Sequence, residues 1–267
     1  MKLPISACII TYNEEKHISE CIKSLFFANE IIVLDSGSED KTCEIAKSLG
    51  AKVHHHPFES HITQKNHALS FATNDWVISL DADERVTPKL RNEIIKLFEE
   101  IKIDENGNDN LCNGYSFPRK TYYIDKWINH GGWYPDKHLR LFRKSKAVWG
   151  GENPHDKIML EGKSGELNSD LLHYSFDSLK AHINTINNFS AIMSRNQYKN
   201  KDTKFLLPKL IFKPLWKFIE IYFLKKGFLD GTHGLIIALF SSFATCARYA
   251  KLFELTRIGF DGKYSDK

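Results

Sequence analysis

The stretch that decides the fold is Asp75–Arg85, which reads Asp-Trp-Val-Ile-Ser-Leu-Asp-Ala-Asp-Glu-Arg. Val77–Leu80 is short, apolar and β-branched, which is typical of a buried strand. It ends in Asp81, Asp83 and Glu84, and carboxylates at the end of a buried strand are costly unless positive groups neutralise them. Oxygen ligands suit Mg²⁺ or Mn²⁺, usually shared with a phosphate. We therefore expect Asp81 and Asp83 to hold a divalent metal that binds a diphosphate.

The same acids also fit a simpler structural role. Thr87-Pro88 predicts an N-cap followed by the first residue of a helix. Glu84 would then serve only that helix, and the acids would form a solvated turn. Asp-x-Asp alone is a weak motif, so the rest of the chain has to separate the two interpretations.

Apolar strands alternate with amphipathic helices along the first half of the chain. Ile5–Ile10 is a near-continuous apolar run, as expected for a strand buried on both faces. Apolar residues then recur at helical spacing from Ile18 to Phe26. Two further strands, Glu30–Leu34 and Lys52–His55, precede the strand Trp76–Leu80. This alternation predicts an α/β fold with a parallel sheet and right-handed crossovers.

Polar residues follow three of these strands and are expected at one edge of the sheet. A nucleotide site needs a ring-stacking group, a carboxylate for base or ribose, and a metal for the phosphates. Tyr12 in Thr11-Tyr12-Asn13-Glu14, Asp35, and the Asp81/Asp83 pair supply these in order. The glycine-rich dinucleotide and P-loop fingerprints are absent, so metal and side chains must hold the phosphates, with Lys65 as a helper.

Three segments together resemble the inverting family 2 glycosyltransferases, which have the GT-A fold. They are Ile9–Glu15 (Ile-Ile-Thr-Tyr-Asn-Glu-Glu), Val33–Asp40 (Val-Leu-Asp-Ser-Gly-Ser-Glu-Asp) and Leu80–Glu84 (Leu-Asp-Ala-Asp-Glu). Gln64–Leu69 and Gly131–Phe142 also resemble the subgroup that contains lipopolysaccharide core β-1,4-glucosyltransferases. The resemblance implies a GT-A-type sheet, mixed but mostly parallel and flanked by helices, with a C-terminal helical appendage.

The resemblance also implies a donor and several site residues. The donor is a nucleotide-diphospho-sugar such as UDP-glucose, and the residues that contact its nucleotide are Thr11, Tyr12, Glu14 and Asp35. Asp83 ligates the metal, and Asp81 binds the ribose or a metal-bound water. The Q-x-x-R-W motif of processive members is absent, because Gln64 and Gln197 are the only glutamines and neither begins it. Transfer of a single sugar to a glycan or glycolipid acceptor is therefore implied.

An inverting transfer needs a base that removes the acceptor's hydroxyl proton as the oxygen attacks the anomeric carbon. The candidate bases are Glu152, Asp156 and Asp136. Trp149–Asp156 contains two glycines and a proline, which predicts a loop. The subgroup tends to have His followed by an acid here, so we expect Asp156 to be the base and His155 to position it or the phosphates. Relatives often carry Glu in place of Asp156, which keeps Glu152 open, and all three acids could be solvated loop residues.

Charge and cysteine content bound the function further. The chain has 267 residues and a net charge of +4, but Lys199–Asp230 alone has eight lysines against three acids. The basic character is local and does not indicate nucleic-acid binding. The five cysteines are scattered, which predicts free thiols in a reducing compartment and no zinc site. His54–His56 are expected on the surface, and the N-terminus starts a strand with no signal segment, so a cytoplasmic protein is expected.

The C-terminal part is expected to be helical and basic. We predict a catalytic domain at 1–200, a helical region at 201–255 and a polar tail at 256–267. Within Phe205–Lys226, Lys209, Lys213 and Lys217 form a row beside a broad apolar face, and Pro214 predicts a kink. This pattern is typical of a helix lying in a membrane interface.

The next apolar run, Gly234–Ala247, has about 14 residues, fewer than the ~20 needed to span a bilayer. We therefore expect this run to be interfacial, re-entrant or packed on its neighbour, and we expect peripheral binding to the inner face of the cytoplasmic membrane. The alternative is a two-helix hairpin packed on the catalytic domain or on a second copy. The sequence predicts no particular oligomeric state.

Three rival functions remain at this point. A metal-dependent phosphatase also uses Asp-x-Asp after a strand, but near its first strand, whereas this pair follows the fourth. A nucleotidyltransferase needs a glycine-rich first loop, and Thr11–Glu15 has no glycine. A catalytically silent, membrane-bound binding module would not need Asp35, Asp81 and Asp83 together.

Overall fold

The computed structural model describes residues 2–101, 109, 111–152 and 155–259, without the side chain of His155. It contains two compact units. The sheet unit comprises Met1–Thr121 and Pro135–Ser175, and the helical unit comprises Tyr122–Tyr134 and Phe176–Lys267. The domain boundary expected at residue 200 stays a prediction.

The strands and helices are numbered in chain order. The strands are β1 Leu3–Thr11, β2 Ala28–Asp35, β3 Lys52–His55, β4 Trp76–Asp81, β5 Glu84–Val86, β6 Gly114–Tyr123, β7 Lys126–Trp127, β8 Asp136–Arg143, β9 Ala147–Glu152, β10 His155–Leu160, β11 Ser164–Glu166 and β12 Leu171–Phe176. The α-helices are α1 Ile18–Ser24, α2 Thr42–Ser48, α3 His61–Ser70, α4 Pro88–Glu99, α5 Leu179–Lys199, α6 Leu206–Ile219 and α7 Thr232–Ile258. Short 3₁₀ turns cover Lys144–Lys146 and Gly227–Asp230, and a π-helical turn covers Glu220–Leu224.

The main sheet has the strand order β3-β2-β1-β4-β8-β6-β12-β5. Its first four strands are parallel, and β8 then joins β4 in the antiparallel direction. The register places Thr11 opposite Asp35, Ile10 opposite Asp81, and Asp35 opposite His55. The predicted α/β class is confirmed, and the three strand ends lie at one edge of the sheet, as the alternation of strands and helices predicted.

β1 is buried on both faces because its residues alternate between two apolar clusters. Ile5 and Ile9 pack in one cluster with Ile18 and Ile22 of α1. Cys8 packs in the other, whose members include residues of α3 and β8. Both faces of the strand therefore exclude water, which fixes the strand that carries Thr11 and its successors at the site.

The helix after the acidic turn begins as predicted. Thr87 Oγ1 accepts a hydrogen bond from Leu90 N at 3.1 Å, and Pro88 occupies the first turn of α4. Glu84 does not serve this helix, however. It lies in β5, is fully buried and accepts a hydrogen bond from Asp81 N at 3.0 Å. The interpretation of these acids as a solvated turn is therefore wrong for Glu84.

The helical unit has a small core of its own. Tyr123, Ile128, Ile221 and Ile237 are buried together. At Gly234 an added Cβ would lie only 1.8 Å from the carbonyl oxygen of Gly227. A side chain at residue 234 would therefore collide with the 3₁₀ turn, and the start of α7 needs glycine.

Among the described residues, one helix is long and apolar enough to cross a membrane by length and composition, namely α7. The apolar run Gly234–Ala247 is short, as noted from the sequence, but the helix that contains it has 27 residues. Only 22% of its most apolar window is buried within the structure. α7 also includes Thr256–Ile258, whereas 260–267 of the expected polar tail lie outside the described residues.

Candidate functional site

The loops after β1 and β2 are joined by hydrogen bonds between backbone and side chains. Asn13 N donates to Ser38 Oγ at 2.8 Å, and Glu39 N donates to Asn13 Oδ1 at 2.9 Å. Glu14 N donates to Thr42 Oγ1 at 2.8 Å. Asn13 has a φ of 54°, which its short polar side chain tolerates better than most. The side chain of Asn13 therefore holds the two loops together.

Asp35 is a buried carboxylate held in its ionised form. It accepts hydrogen bonds from Gly37 N at 2.9 Å, Ser38 N at 3.0 Å and Ser38 Oγ, and His55 Nδ1 lies 3.2 Å away. Burial alone would raise the pKa of Asp35, but the hydrogen bonds from Ser38 and Gly37 outweigh it and lower that pKa. Gly37 has a φ of +100°, a conformation that this tight turn requires of glycine.

Beside Asp35, two residues of β1 and its loop differ in exposure. Tyr12 is 57% exposed at this edge of the sheet. Thr11 is buried, and its Oγ1 has no hydrogen-bond partner among the described residues. An exposed ring next to a buried carboxylate and a buried hydroxyl offers stacking and hydrogen-bonding groups to a bound ring system.

Cys43 and His55 form a possible cation site with Asp35, which was not expected from the sequence. Their ligand atoms all lie within 4.8 Å of one another. Asp35 already accepts several hydrogen bonds, and burial together with the nearby Asp35 charge raises the pKa of Cys43 to about 11. The thiol is therefore protonated at neutral pH and is a poor metal ligand in this state.

Asp81 is paired with two cations. Lys65 Nζ lies 3.2 Å from Asp81 Oδ1, and Arg140 Nη2 lies 3.2 Å from Asp81 Oδ2. Burial opposes ionisation of Asp81, but Lys65 and Arg140 more than offset this effect and hold its pKa well below the usual range. Asp81 is therefore a carboxylate at any physiological pH.

The same lysine also contacts Asp156. Lys65 Nζ lies 2.7 Å from Asp156 Oδ2, and the lysine side chain is only 5% exposed. The ring of Trp149 packs against the Lys65 ammonium, whose nitrogen is 4.4 Å from the ring centroid. Lys65 thus brings together two carboxylates, Asp81 and Asp156, that come from different parts of the chain.

The residue after Lys65 positions Trp149. Asn66 Oδ1 accepts a hydrogen bond from Trp149 N at 3.0 Å, and Asn66 Nδ2 donates to Trp149 O at 2.9 Å. The residue before Lys65, Gln64, bonds to Ser36 Oγ at 2.7 Å and to His56. The three residues Gln64, Lys65 and Asn66 therefore connect α3 to the loop after β2, to the acids and to β9.

Within the loop predicted over Trp149–Asp156, the described residues 149–152 and 155–156 belong to two paired strands, β9 and β10. Asp156 lies opposite Gly151, and Lys157 lies opposite Gly150. At Gly150 an added Cβ would lie 3.0 Å from Met159 Cγ, so this glycine permits a close cross-strand contact. The glycines of this stretch predicted a loop, but glycine also occurs in strands where two backbones or side chains approach closely.

The four residues considered for acid–base catalysis differ in environment. Asp156 is partly buried against Lys65, whereas Glu152 is exposed at the end of β9. His155 lies in β10, and its side chain is outside the described part of the chain. Asp136 is bound by Arg119 Nη2 at 2.7 Å and by His138 Nε2 at 2.8 Å.

Asp83 has a partner that the sequence did not suggest. His173 Nε2 of β12 lies 3.2 Å from Asp83 Oδ2, and Tyr174 N donates to Asp83 O at 2.9 Å. Burial lowers the pKa of His173, but the adjacent Asp83 outweighs burial and raises it. His173 follows two leucines in the sequence and belongs to no metal-ligand motif, so only the β12–β5 pairing reveals it.

Two arginines on the antiparallel strands complete the cluster. Arg140 Nη2 donates to the buried Glu84 at 2.9 Å, and Arg119 Nη1 lies 3.5 Å from the same carboxylate. Burial works against the charge of Arg140, but Glu84 and Asp81 raise its pKa. The buried acids are therefore compensated by fixed cations.

Asp83 and His173 are side chains that could bind a divalent cation. A carboxylate and a neutral imidazole are both common ligands of Mn²⁺ and similar ions. Asp83 and His173 place these two side chains 3.2 Å apart, and a cation bound there would have to displace the proton that Asp83 favours on His173. Asp81 Oδ1 is buried, and the Lys65 ammonium already lies 3.2 Å from it. Because Lys65 and Arg140 neutralise Asp81, Asp83 and His173 are the better candidates for direct ligands.

Trp127 and Trp133 pack within the helical unit. Trp133 contacts the rings of Tyr123, Phe176 and His182, and Trp127 packs on Tyr122. The sequence alone is compatible with two roles for these tryptophans, stacking on a sugar and packing in a core. Their contacts in this structure are those of packed side chains.

The sheet is mixed, with four parallel strands first, and it has a buried aspartate and an Asp-x-Asp pair at one edge, which is the GT-A-type architecture predicted from the sequence. The family model for "Glycosyl transferase family 2" matches residues 6–149. An uncharacterized glycosyltransferase of Rickettsia typhi is 31% identical over 94% of this chain and 87% of its own length. The chain belongs to glycosyltransferase family 2 and is therefore an enzyme.

Two further proteins are similar to this chain. The lipopolysaccharide core biosynthesis glycosyltransferase LpsC of Rhizobium meliloti is 29% identical over 95% of this chain and 93% of its own length. The crystal structure of S. aureus TarS 1-349 in complex with UDP aligns with all of this chain and 93% of its own, at 16% identity and a TM-score of 0.49. Family membership decides against the phosphatase, the nucleotidyltransferase and the silent binding module.

Proposed function

We propose that this enzyme transfers one hexose from a nucleotide-diphospho-sugar, UDP-glucose in the first instance, to a glycan or glycolipid acceptor with inversion at the anomeric carbon. The observation that carries the proposal is the double contact of Lys65 Nζ, at 2.7 Å from Asp156 and 3.2 Å from Asp81. It supports a single site in which the acid that takes the acceptor's proton lies beside the acids that bind the donor.

In this mechanism Asp156 accepts the proton of the acceptor hydroxyl. The freed oxygen attacks the anomeric carbon, and the bond from that carbon to the diphosphate oxygen breaks. Asp35 accepts hydrogen bonds from the base or ribose, Tyr12 stacks on the base, and Thr11 and Glu14 line the same pocket. Lys65 and Arg140 supply positive charge beside the diphosphate.

Asp83 and His173 would hold the divalent cation, with Asp81 directed to the ribose or to a metal-bound water. When bound, Mg²⁺ or Mn²⁺ supplies positive charge that stabilises the departing diphosphate. Asn13 supports this arrangement indirectly, since it fixes the loops after β1 and β2. His155 stays a candidate for positioning Asp156 or the phosphates.

The base is tested with Asp156→Asn and the matched variant Glu152→Gln. Asp156→Asn keeps size and shape but cannot take the proton, so we expect about 10²–10⁴-fold slower transfer with nucleotide binding unchanged. Glu152→Gln should transfer at the wild-type rate. Turnover is measured as UDP released with a panel of UDP-sugars, and binding as the shift in thermal unfolding on adding UDP.

Retained turnover in Asp156→Asn together with loss in Glu152→Gln would move the role to Glu152. Inversion is measured separately, by NMR of the anomeric proton in the product. A product that retains the donor's configuration would contradict the single-displacement mechanism.

We also propose that the enzyme acts in the cytoplasm at the inner face of the cytoplasmic membrane, in the synthesis of lipopolysaccharide core or another cell-envelope glycan. Two observations support this location. One relative is named for lipopolysaccharide core biosynthesis, and the helical unit exposes many large apolar side chains. A lipid-linked acceptor would be met at such a surface. The catalytic domain is proposed to span 1–200 and the membrane-associating region 201–255.

A further inference from the structure

The surface of α6 is strongly apolar and exposed. Six large side chains point to solvent, and they are called here the apolar strip: Leu207, Ile211, Phe212, Leu215, Trp216 and Ile219. Leu207 is 68% exposed, Phe212 67% and Trp216 55%. Leu207, Ile211, Leu215 and Ile219 are spaced by four residues, so they form a continuous row along the helix. Soluble proteins rarely expose so large an apolar surface without a partner.

The apolar strip continues into the turns that follow α6. Phe223 and Leu224 of the π-helical turn, and Phe228 and Leu229 of the 3₁₀ turn, are exposed as well. The opposite side of this segment is engaged, because Pro214 and Ile221 are buried. Ser242 Oγ of α7 donates to Pro214 O at 2.9 Å. α6 therefore has one face packed within the helical unit and another left without a partner among the described residues.

Lysines border the apolar strip. Lys209, Lys213 and Lys217 form a row with a spacing of four, which places them beside the strip on the same helix. Lys209 is paired with Asp202 and Lys217 with Glu220, whereas Lys213 is exposed with no acidic partner in the described part of the chain. An exposed apolar row with aromatic rings and a basic margin matches the interface of a bilayer that carries anionic headgroups.

Exposed lysines also lie at both ends of the apolar strip. Lys204 precedes α6 and Lys226 precedes the 3₁₀ turn, and both are exposed without an acidic partner in the residues described. The segment Lys199–Asp230 carries a net charge of +5 although the whole chain carries +4. Positive charge is therefore concentrated around the apolar strip, where it complements an anionic surface.

α7 has contacts that favour surface binding over spanning. Lys251 Nζ donates to Asn187 O of α5 at 2.6 Å and to Ser190 Oγ at 2.8 Å. Tyr249 and Leu252 are buried in the same stretch of helix. A helix held this way by α5 would have to break polar contacts to insert alone across a bilayer, whereas the apolar strip can enter the interface with the helical unit intact.

We propose that the apolar strip of α6 and its bordering lysines form a docking surface for an anionic lipid bilayer, on which the enzyme binds peripherally with α6 lying in the interface. The proposal rests on the membrane location proposed above and names the surface responsible. Lipid binding itself requires no sugar transfer, so the two proposals can fail separately.

The experiment is flotation of the full-length protein with vesicles of phosphatidylcholine and phosphatidylglycerol, compared with vesicles of phosphatidylcholine alone. The strip variant is Ile211→Ser/Phe212→Ser/Trp216→Ser, and its matched control is Phe26→Ser/Phe58→Ser, which changes exposed rings of the sheet unit. The charge variant is Lys204→Gln/Lys213→Gln/Lys226→Gln, matched by Lys2→Gln/Lys89→Gln/Lys163→Gln. Circular dichroism and thermal unfolding verify that every variant is folded.

We expect wild type to bind anionic vesicles at least about tenfold better than neutral ones, with binding weakened by salt. The strip variant should lose binding to both vesicle types, the charge variant should lose the preference for anionic lipid, and both controls should float like wild type. Besides an absence of wild-type flotation, any of three results would overturn the proposal. The first is flotation of the strip variant at the wild-type level. The second is wild-type binding that resists both high salt and alkaline carbonate, as binding through a spanning helix would. The third is a wild-type protein that is a dimer without lipid and that the strip variant converts to a monomer.

The two proposals are told apart by assaying transfer to a water-soluble acceptor. If the wild-type protein does not float with vesicles but still transfers sugar to the soluble acceptor, the docking surface is wrong and the proposed reaction stands. Flotation retained with no transfer from any UDP-sugar removes the proposed reaction and leaves the docking surface.

Discussion

Lys65 is the residue on which the candidate site converges. Its ammonium group contacts Asp81 and Asp156 and packs on the ring of Trp149. It is almost fully buried, so its charge is compensated by these carboxylates rather than by water. The side chains of Lys65, Asp81 and Asp156 form one electrostatic unit, and their contributions to the free energy of unfolding should not be additive.

Lys65→Met tests this unit. The variant removes the ammonium and leaves two carboxylates without it, so we expect the free energy of unfolding to fall by roughly 3 kcal/mol. Asp156→Asn introduced into Lys65→Met should cost less stability than Asp156→Asn in wild type, because it removes one of the uncompensated charges. Urea unfolding of the four proteins measures the coupling.

The control is Lys47→Met, at an exposed position of α2, which should change the free energy of unfolding by less than about 0.5 kcal/mol. Additive effects of Lys65→Met and Asp156→Asn would show that the ammonium does not couple the two acids.

The sequence singled out most residues of this site but few of their partners. Asp35, Asp81 and Asp83 stand out because each follows a strand whose type can be read from its apolar pattern. Arg140 and His173 lie on antiparallel strands, and the pairing of those strands depends on long-range contacts that no local pattern encodes. Their charges are visible in the sequence, but the acids that they face are not.

Among the elements, the predicted boundaries of the first four strands and of α1 agree with the structure to within two residues. The clearest miss is the β9–β10 pair, where two glycines and a proline indicated a loop. Trp149 is buried and Val148 is exposed, which is the alternation of a strand. That alternation covers too few residues to outweigh glycine in a sequence-based interpretation.

The helix α5 carries a buried histidine whose protonation should limit stability in acid. His182 Nδ1 lies 2.8 Å from Tyr123 Oη, and the rings of Phe176 and Phe240 lie against it. Burial lowers the pKa of His182 to about 4. The unfolded chain, with a pKa near 6.5, therefore takes up the proton first as pH falls.

The resulting stability is fully present above the unfolded pKa and is lost as pH falls from about 6.5 toward 4. We expect His182→Gln to remove about 2 kcal/mol of the pH dependence of unfolding between about pH 7.5 and 4.5. Urea unfolding followed by tryptophan fluorescence measures it, with His67→Gln at an exposed position as control. Equal pH dependence in His182→Gln and wild type would contradict the assignment.

For the whole molecule, the alternation of strands and helices was sufficient to predict an α/β fold, and the three motifs were sufficient to predict the family. The division into compact units was not predictable, because Tyr122–Tyr134 is inserted in the sheet unit's sequence but packs with the C-terminal helices. The hydrophobic pattern of a segment predicts which of its residues are buried, but it does not predict which other segment of the chain packs against them.

Ligand binding should stabilise the molecule as a whole. We expect UDP with Mn²⁺ to raise the free energy of unfolding by about 2.7 kcal/mol at a hundredfold excess over its Kd. Asp83→Ala should lose the part of this increase that requires Mn²⁺ and keep the part that UDP gives alone. Thermal unfolding with UDP, with Mn²⁺ and with both measures it.

Glu166→Ala, at an exposed acid of β11, should respond to UDP and Mn²⁺ like wild type. An unchanged response in Asp83→Ala would show that the ion binds elsewhere, and this readout does not depend on catalytic activity.

The near-contact of Gly227 and Gly234 constrains how this chain can change. At Gly227 an added Cβ would lie 2.7 Å from Ile221 O, and at Gly234 it would lie 1.8 Å from Gly227 O. Neither position can gain even a methyl group without displacing backbone. In evolution, the two glycines are therefore expected to stay unchanged or to be replaced together with the backbone that they contact. Anyone who grafts these turns and the start of α7 onto another scaffold should therefore transfer residues 221–234 as one block.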